Sequence, residues 1–246
     1  MTLSTDTYLD HTRTGGAAFA DALIGADVDA PVVACGDWTV ADLVGHIGTV
    51  HRWAAVALRE GRQPGRDDLA DAPPFDPSDA SGWYRACLDD IVAELEAADP
   101  VASSWHPFPV EQVAGFWFRR MAHEIAVHRW DLEHAVSTPT TMDPALASDG
   151  IDEYFEVTIP RLVVQGRDLP TSSFHVHCTD VEGEWLVWTE DGDYRMVREH
   201  RKGDAALRGP AEQLLLRMWN RPAPDDELSP VGDETAFVDW TSLGGN

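Results

Sequence analysis

The apolar period of this 246-residue chain changes once, close to Leu169, and the change demands two kinds of structure in one polypeptide. Before it, hydrophobic residues recur every three to four positions, as one face of a helix requires; beyond it they alternate, as a half-buried strand requires. Residues 7–26 place Leu9, Ala17, Phe19 and Leu23 on one side of a first helix, which Gly15 and Gly16 weaken. Asp37 or Thr39 can cap a second, in which Leu43, Ile47, Val50, Ala54 and Ala57 recur until Gly61 stops it. Residues 62–80 read as a loop rich in Asp, Pro and Gly, and Ser81 to Ala98 as a third helix that buries Trp83, Cys87, Ile91 and Leu95. A fourth runs from about Val110 to Ala135 with a stripe of Val113, Trp117, Met121, Glu124, Val127 or His128, and Asp131 or Leu132. A fifth, over 148–168, is interrupted by Pro160 and has the position of an interdomain crossover.

Past Leu169, Phe174, Val176 and Cys178 alternate with Ser173, His175 and His177. EWLVWTEDGDYRMVRE then reads as two strands around an Asp-Gly turn. A short strand in AALRGP, a helix begun by Pro210 and a short terminal helix in ETAFVDW complete the pattern, with RPAPDDELSPVGD as a breaker-rich connection. The expected fold class is α plus α+β, with a helical bundle and crossover helix over residues 1–168 and a small α+β domain over 169–246.

Charge narrows the partners. With 18 Lys plus Arg against 43 Asp plus Glu, the formal net charge is −25, and the most basic stretch, RKGD at 201–204, is too short to grip nucleic acid phosphates. An anionic membrane is disfavoured for the same reason. Three cysteines, Cys35, Cys87 and Cys178, are too few and too scattered for a disulfide framework, which points to a reducing compartment. The N-terminus has no basic segment followed by an apolar run, and no stretch approaches the ~20 apolar residues of a membrane span. A soluble, cytoplasmic protein is expected, as a monomer or homodimer.

The chemistry concentrates in His123-Glu124-Ile125-Ala126-Val127-His128. Glu124 and His128 are four apart on a helix and can meet one small ion. A third ligand must come from elsewhere, and His46 leads because it lies in the apolar phase of the second helix, beside a Gly45 that would permit close helix approach. Two imidazoles and one carboxylate facing each other in a bundle make a shell suited to zinc with an open position, with iron or nickel as alternatives. His51 and His123 each lie five residues from a proposed ligand, about 140° around the helix, and are assigned to structure or a pocket rim. His175 and His177 share a strand face that is read as polar and exposed, and Asp131 and His134 as near the cleft or the helix end. The open position could activate a thiol or a water molecule. None of the cysteines is expected to adjoin the ligands, so a nucleophilic sulfur would be a cofactor's.

WTVADLVGHIGTVHRWA and RRMAHEIAVHRWDLE resemble the two metal-bearing segments of the mycothiol-dependent maleylpyruvate isomerase family, part of the wider DinB-like metalloenzyme group. The resemblance implies a metal-binding four-helix bundle with His46, Glu124 and His128 as ligands, and a sterol-carrier-like α+β domain at the C-terminus. It further implies a divalent metal, zinc foremost, and mycothiol as thiol cofactor or co-substrate. GPAEQLLLRMWNRP is similar to the family's C-terminal helix, whose arginine associated with substrate binding falls on Arg221, with Arg217 as the nearby competitor. Helix capping by a cation is the plain structural explanation for either. The expected activity is metal-dependent activation of mycothiol for S-transfer to, or cis–trans isomerisation of, a small electrophile. A metal hydrolase using bound water, and a ligand-binding protein with a structural metal, are the alternatives.

Overall fold

A computed structural model describes residues 2–69, 73–136, 139–222 and 228–244. The chain divides into two compact units: residues 3–107 with 111–140, and residues 141–246 with short segments at 1–2 and 108–110.

Four helices build the first unit: α1 Thr5–Ala22, α2 Val40–Glu60, α3 Ala80–Ala97 and α4 Gly115–Val136. Each begins where the sequence offers a cap or a turn. Ser4 accepts from the Thr7 amide at α1, Asp79 from Gly82 at α3, and Thr39 with Asp42 closes a reciprocal capping box at α2. Gly61, at φ 66°, ends α2 in the left-handed conformation. The loop expected at 62–80 contains two short 3-10 turns, Asp67–Leu69 and Pro77–Asp79. Helix α1 packs against α3 and α4, and α2 packs against the same two, so the four enclose a core of Phe19, Leu43, Ile47, Tyr84, Ile91, Trp117 and Met121.

The glycines expected to weaken α1 are what let it pack. A Cβ on Gly16 would stand 2.4 Å from Leu88 Cδ1 of α3, and one on Gly15 would stand 3.3 Å from Ile125 of α4. The role assigned to Gly45 is corrected: a Cβ there meets nothing within 4 Å, whereas one on Gly48 would meet the Trp83 ring at 2.3 Å. Close approach along α2 belongs to Gly48.

In the second unit, α5 Pro144–Glu153 starts earlier than the sequence suggested because Asp143 caps it through the Ala145 and Leu146 amides. It continues through a π turn, Tyr154–Thr158, into α6 Ile159–Val164. Pro160 cannot donate to a carbonyl one turn back, and the widened turn before it lets the helix continue. The strands are β1 Phe174–Cys178, β2 Glu184–Glu190, β3 Asp193–Val197, β4 Ala205–Gly209 and β5 Ser229–Gly232, in sheet order β3-β2-β1-β4-β5. The β2–β3 hairpin turns on Asp191 and Gly192, both at positive φ (54° and 87°), as a two-residue primed turn requires. Strand β4 lies parallel to β1, and helices α7 Ala211–Met218 and α8 Glu234–Thr241 follow β4 and β5. Strand β5 was read as a breaker-rich connection; it forms because an edge position tolerates Pro230, whose missing N–H costs no central ladder bond.

Replacing Gly16 with Ala should favour an isolated helix by about 1 kcal/mol. In this bundle the opposite is expected, a loss of roughly 1–2 kcal/mol read as a lower urea midpoint, because the Leu88 side chain must move off its packed position.

Candidate metal centre

The capping box at Thr39 sets the phase of α2. It turns Leu43, Val44 and Ile47 fully into the core and leaves His46 on the border of that face, its side chain 36% exposed. The indole of Trp38, just before the cap, lies 5.0 Å from the His46 ring. On α4 the apolar stripe is interrupted by a polar ladder at spacings of four, four and three: Arg120, Glu124, His128 and Asp131.

Three of the expected residues meet. His46 Nε2 stands 3.3 Å and His128 Nε2 3.4 Å from the same oxygen, Glu124 Oε1, and the two rings lie edge to face at 5.2 Å. All three ligand atoms lie within 4.8 Å of one another. These separations are long for hydrogen bonds. They match the ~3.3 Å edge of a tetrahedral site with metal–ligand bonds of ~2.0–2.1 Å. Two imidazoles and one carboxylate could therefore hold a divalent ion such as zinc.

The other faces of these ligands are also engaged. Arg120 donates to Glu124 Oε2 through Nε at 3.2 Å and through a terminal nitrogen at 2.5 Å, which leaves Oε1 for the imidazoles. Burial alone would raise the Glu124 carboxyl, but the Arg120 charge and the contacts with His128 and His46 hold it well below the usual range. Asp131, buried, sits 2.9 Å from His128 Nδ1. Burial would lower the His128 imidazole; Asp131, Cys35 and Glu124 raise it well above its ordinary value in the metal-free protein. A carboxylate on Nδ1 fixes the tautomer that presents Nε2.

Arg120 and the role of Asp131 were missed, although their spacing from Glu124 and His128 is visible in the sequence. Cys35 was also missed, and its assignment as remote from the ligands is corrected. It lies in a 3-10 turn, Val33–Cys35, and its thiol donates to Asp131 Oδ2 at 3.4 Å. Cys35 thus approaches His128 on its Nδ1 side, behind the face turned to Glu124.

The competitors sort by burial. His51 is fully buried against Tyr84, with ring centroids 5.6 Å apart, and neither ring nitrogen has a hydrogen-bond partner among the described residues. His123 is buried beside Tyr8, and the exposed His134 stacks on Trp130. In the second unit, Arg217 occupies the last turn of α7, which ends in a Schellman motif: Asn220 adopts φ 56°, its amide bonds Arg217 O, and the Arg221 amide bonds Leu216 O. The buried Arg221 guanidinium donates to Trp219 O at 2.8 Å, so it does cap the helix end. The strand face of His175 and His177 is polar as expected but only partly exposed: His175 is buried, His177 is 33% exposed, and both contact Glu184.

A helical bundle bearing a two-histidine, one-carboxylate cluster and followed by an α+β unit defines the class of protein. Residues 9–133 match the mycothiol maleylpyruvate isomerase N-terminal domain, and residues 145–238 match the C-terminal domain of the same family. The chain belongs to the mycothiol-dependent maleylpyruvate isomerase family. Its fold is that of a crystal structure of a mycothiol-dependent maleylpyruvate isomerase, with a TM-score of 0.65 at 11% identity over 94% of this chain and 95% of that one. A histidine-to-alanine mutant of such an isomerase gives a TM-score of 0.62 at 10% identity, with the same coverage. Two uncharacterized proteins from Mycobacterium tuberculosis strains are each 28% identical over 118 residues, which is 46% of this chain; the match spans 57% of those relatives' length. No helix among the described residues is long and apolar enough to cross a membrane.

Burial of His51 lowers its pKa from 6.5 to about 4, against the pull of the Glu124 charge and with that of His128 and His46. The unfolded chain therefore binds more protons at this position between those two values, and stability falls as pH drops through that window. In metal-free protein, moving from pH 7 to pH 5 should cost roughly 2 kcal/mol through His51. His51→Phe should remove that part of the loss, seen as a smaller shift in urea midpoint between the two pH values.

Proposed function

We propose that this chain is a mycothiol-dependent isomerase of a small electrophilic substrate, with a divalent ion, zinc foremost, held by His46, Glu124 and His128. The observation that carries the reading is the convergence of two imidazole Nε2 atoms on one carboxylate oxygen, in a chain both of whose regions match this family. When bound, metal and thiol together would supply a thiolate; its conjugate addition to one carbon of a cis C=C bond breaks the π bond and permits rotation, and its expulsion restores the double bond in the trans product.

The chain's own residues prepare that chemistry. Asp131 keeps the proton of His128 on Nδ1 and so directs the Nε2 lone pair into the site. Arg120 keeps Glu124 ionised and holds Oε2 away from the ligand position. Trp38 covers the His46 ring. Arg221 would meet a carboxylate of the substrate or thiol, with Arg217, four residues earlier, as the alternative; either would supply positive charge in a chain of net charge −25. The same charge argues against nucleic acid and anionic membrane partners, and the three scattered cysteines favour a reducing, cytoplasmic setting, with the enzyme acting as a monomer or homodimer. S-transfer would use the same ligands and differs only in retaining the thioether.

Metal-loaded protein incubated with mycothiol and a panel of electrophiles that includes cis-enone acids tests the reading. Isomerisation without net thiol consumption is expected. Thiol consumption would indicate S-transfer, thiol-independent turnover a hydrolase, and metal-dependent stability without turnover a structural metal. His46→Ala and Glu124→Gln should each abolish thiol-dependent turnover together with tight metal binding. Asp131→Asn should weaken metal affinity by ~10–100-fold, measured by competition with a chromogenic chelator, while circular dichroism stays unchanged.

A further inference from the structure

The second unit carries a cluster that shares no residue with the centre above and does not depend on the proposed activity. His175 and His177 lie on β1, Glu184 opens β2, and His200 lies in the connection from β3 to β4. The register pairs His177 with Glu184 and His175 with Leu186, so His175, His177 and Glu184 share one face of the sheet. All three imidazoles point at one atom. His175 Nε2 and His177 Nδ1 each stand 2.9 Å from Glu184 Oε1, and His200 Nδ1 contacts the same oxygen.

One carboxylate oxygen offers about two lone-pair sites. Three imidazole nitrogens on Glu184 Oε1 are one more than it can accept. The four ligand atoms lie within 4.8 Å of one another, with ring centroids 5.5–6.3 Å apart. An ion between them would engage all four ligand atoms: the 2.9 Å contacts of His175 and His177 with Glu184 need to open by a few tenths of an ångström to reach the ~3.3 Å spacing of a tetrahedral site, and the exposed His200 must draw back further. The side chains of His177 and His200 are 33% and 82% exposed, so the ligand sphere can open. A cleft of about 230 Å³, lined in part by His175, His200 and Lys202, reaches the cluster from solvent.

We propose that His175, His177, Glu184 and His200 form a second metal site that takes a divalent transition ion favoured by imidazole, of the zinc, nickel or copper type. Bound there, the ion ties β1, β2 and the β3–β4 connection together.

Untagged, metal-stripped full-length protein titrated with Zn(II) by calorimetry, with bound metal counted by elemental analysis, tests the site. The wild type should bind an equivalent that His177→Ala/His200→Ala lacks, or binds at least about tenfold more weakly. The His200 side chain is 82% exposed, so its replacement removes no packed group, and His200→Ala, with an unchanged circular dichroism spectrum, should weaken the same equivalent. Glu184→Gln should do likewise. His46→Ala counts the bundle site separately and should leave this equivalent in place. The proposal is overturned if the double variant binds as much zinc as tightly as the wild type, or if His46→Ala removes all binding.

Discussion

Glu124 is an ionised carboxylate in the middle of a helical bundle, and the organisation of the first unit around it follows from keeping it charged. Burial opposes that charge. Arg120, one turn earlier, takes one oxygen, and two imidazoles, His128 one turn on along the same helix and His46 from α2, approach the other. The cost of desolvation is thus offset by charge and donors arranged on both sides, and the oxygen left to the imidazoles becomes the natural position for a cation. Asp131 and Cys35 extend the arrangement behind His128, so the ligand ring is fixed by the residues around it as well as by its helix.

How much of this was legible depends on whether the relation is local. Glu124 and His128 sit at helical spacing within one helix, and His46 falls at the edge of an apolar phase, so periodicity was enough to find them. Arg120 and Asp131 belong to the same ladder and were open to the same reasoning. Cys35 was not, since its 3-10 turn has no periodic signature and its contact with Asp131 spans most of the unit's sequence. The bundle helices and the β2–β3 hairpin were readable from caps, spacing and an Asp-Gly turn. Glycine was misread in both directions: Gly16 fits the chain against Leu88, while Gly45 faces open space and Gly48 makes the close approach.

Strand alternation says which residues share a face and nothing about what covers that face. His175 and His177 were therefore placed together correctly, but their shared face is only partly open: His175 is buried and His177 half-buried, because Glu184 comes from the neighbouring strand and His200 from a loop. Charge shows a similar limit. The excess of 43 acids over 18 bases reads as an acidic exterior, yet Asp131, Glu133, Asp149, Asp152 and Glu153 are all buried. Asp152, for example, accepts from the Trp185 indole and from Arg198. Part of the acidity is internal, engaged by specific partners.

The central claim is that Glu124 Oε1, His46 Nε2 and His128 Nε2 surround one ion. Anomalous scattering from crystals of zinc-loaded protein, collected on both sides of the zinc absorption edge, tests it most directly. A zinc peak within bonding distance of all three atoms, with Asp131 still on His128 Nδ1, is the predicted result. Diverging side chains, or full zinc loading with no peak between them, would contradict it.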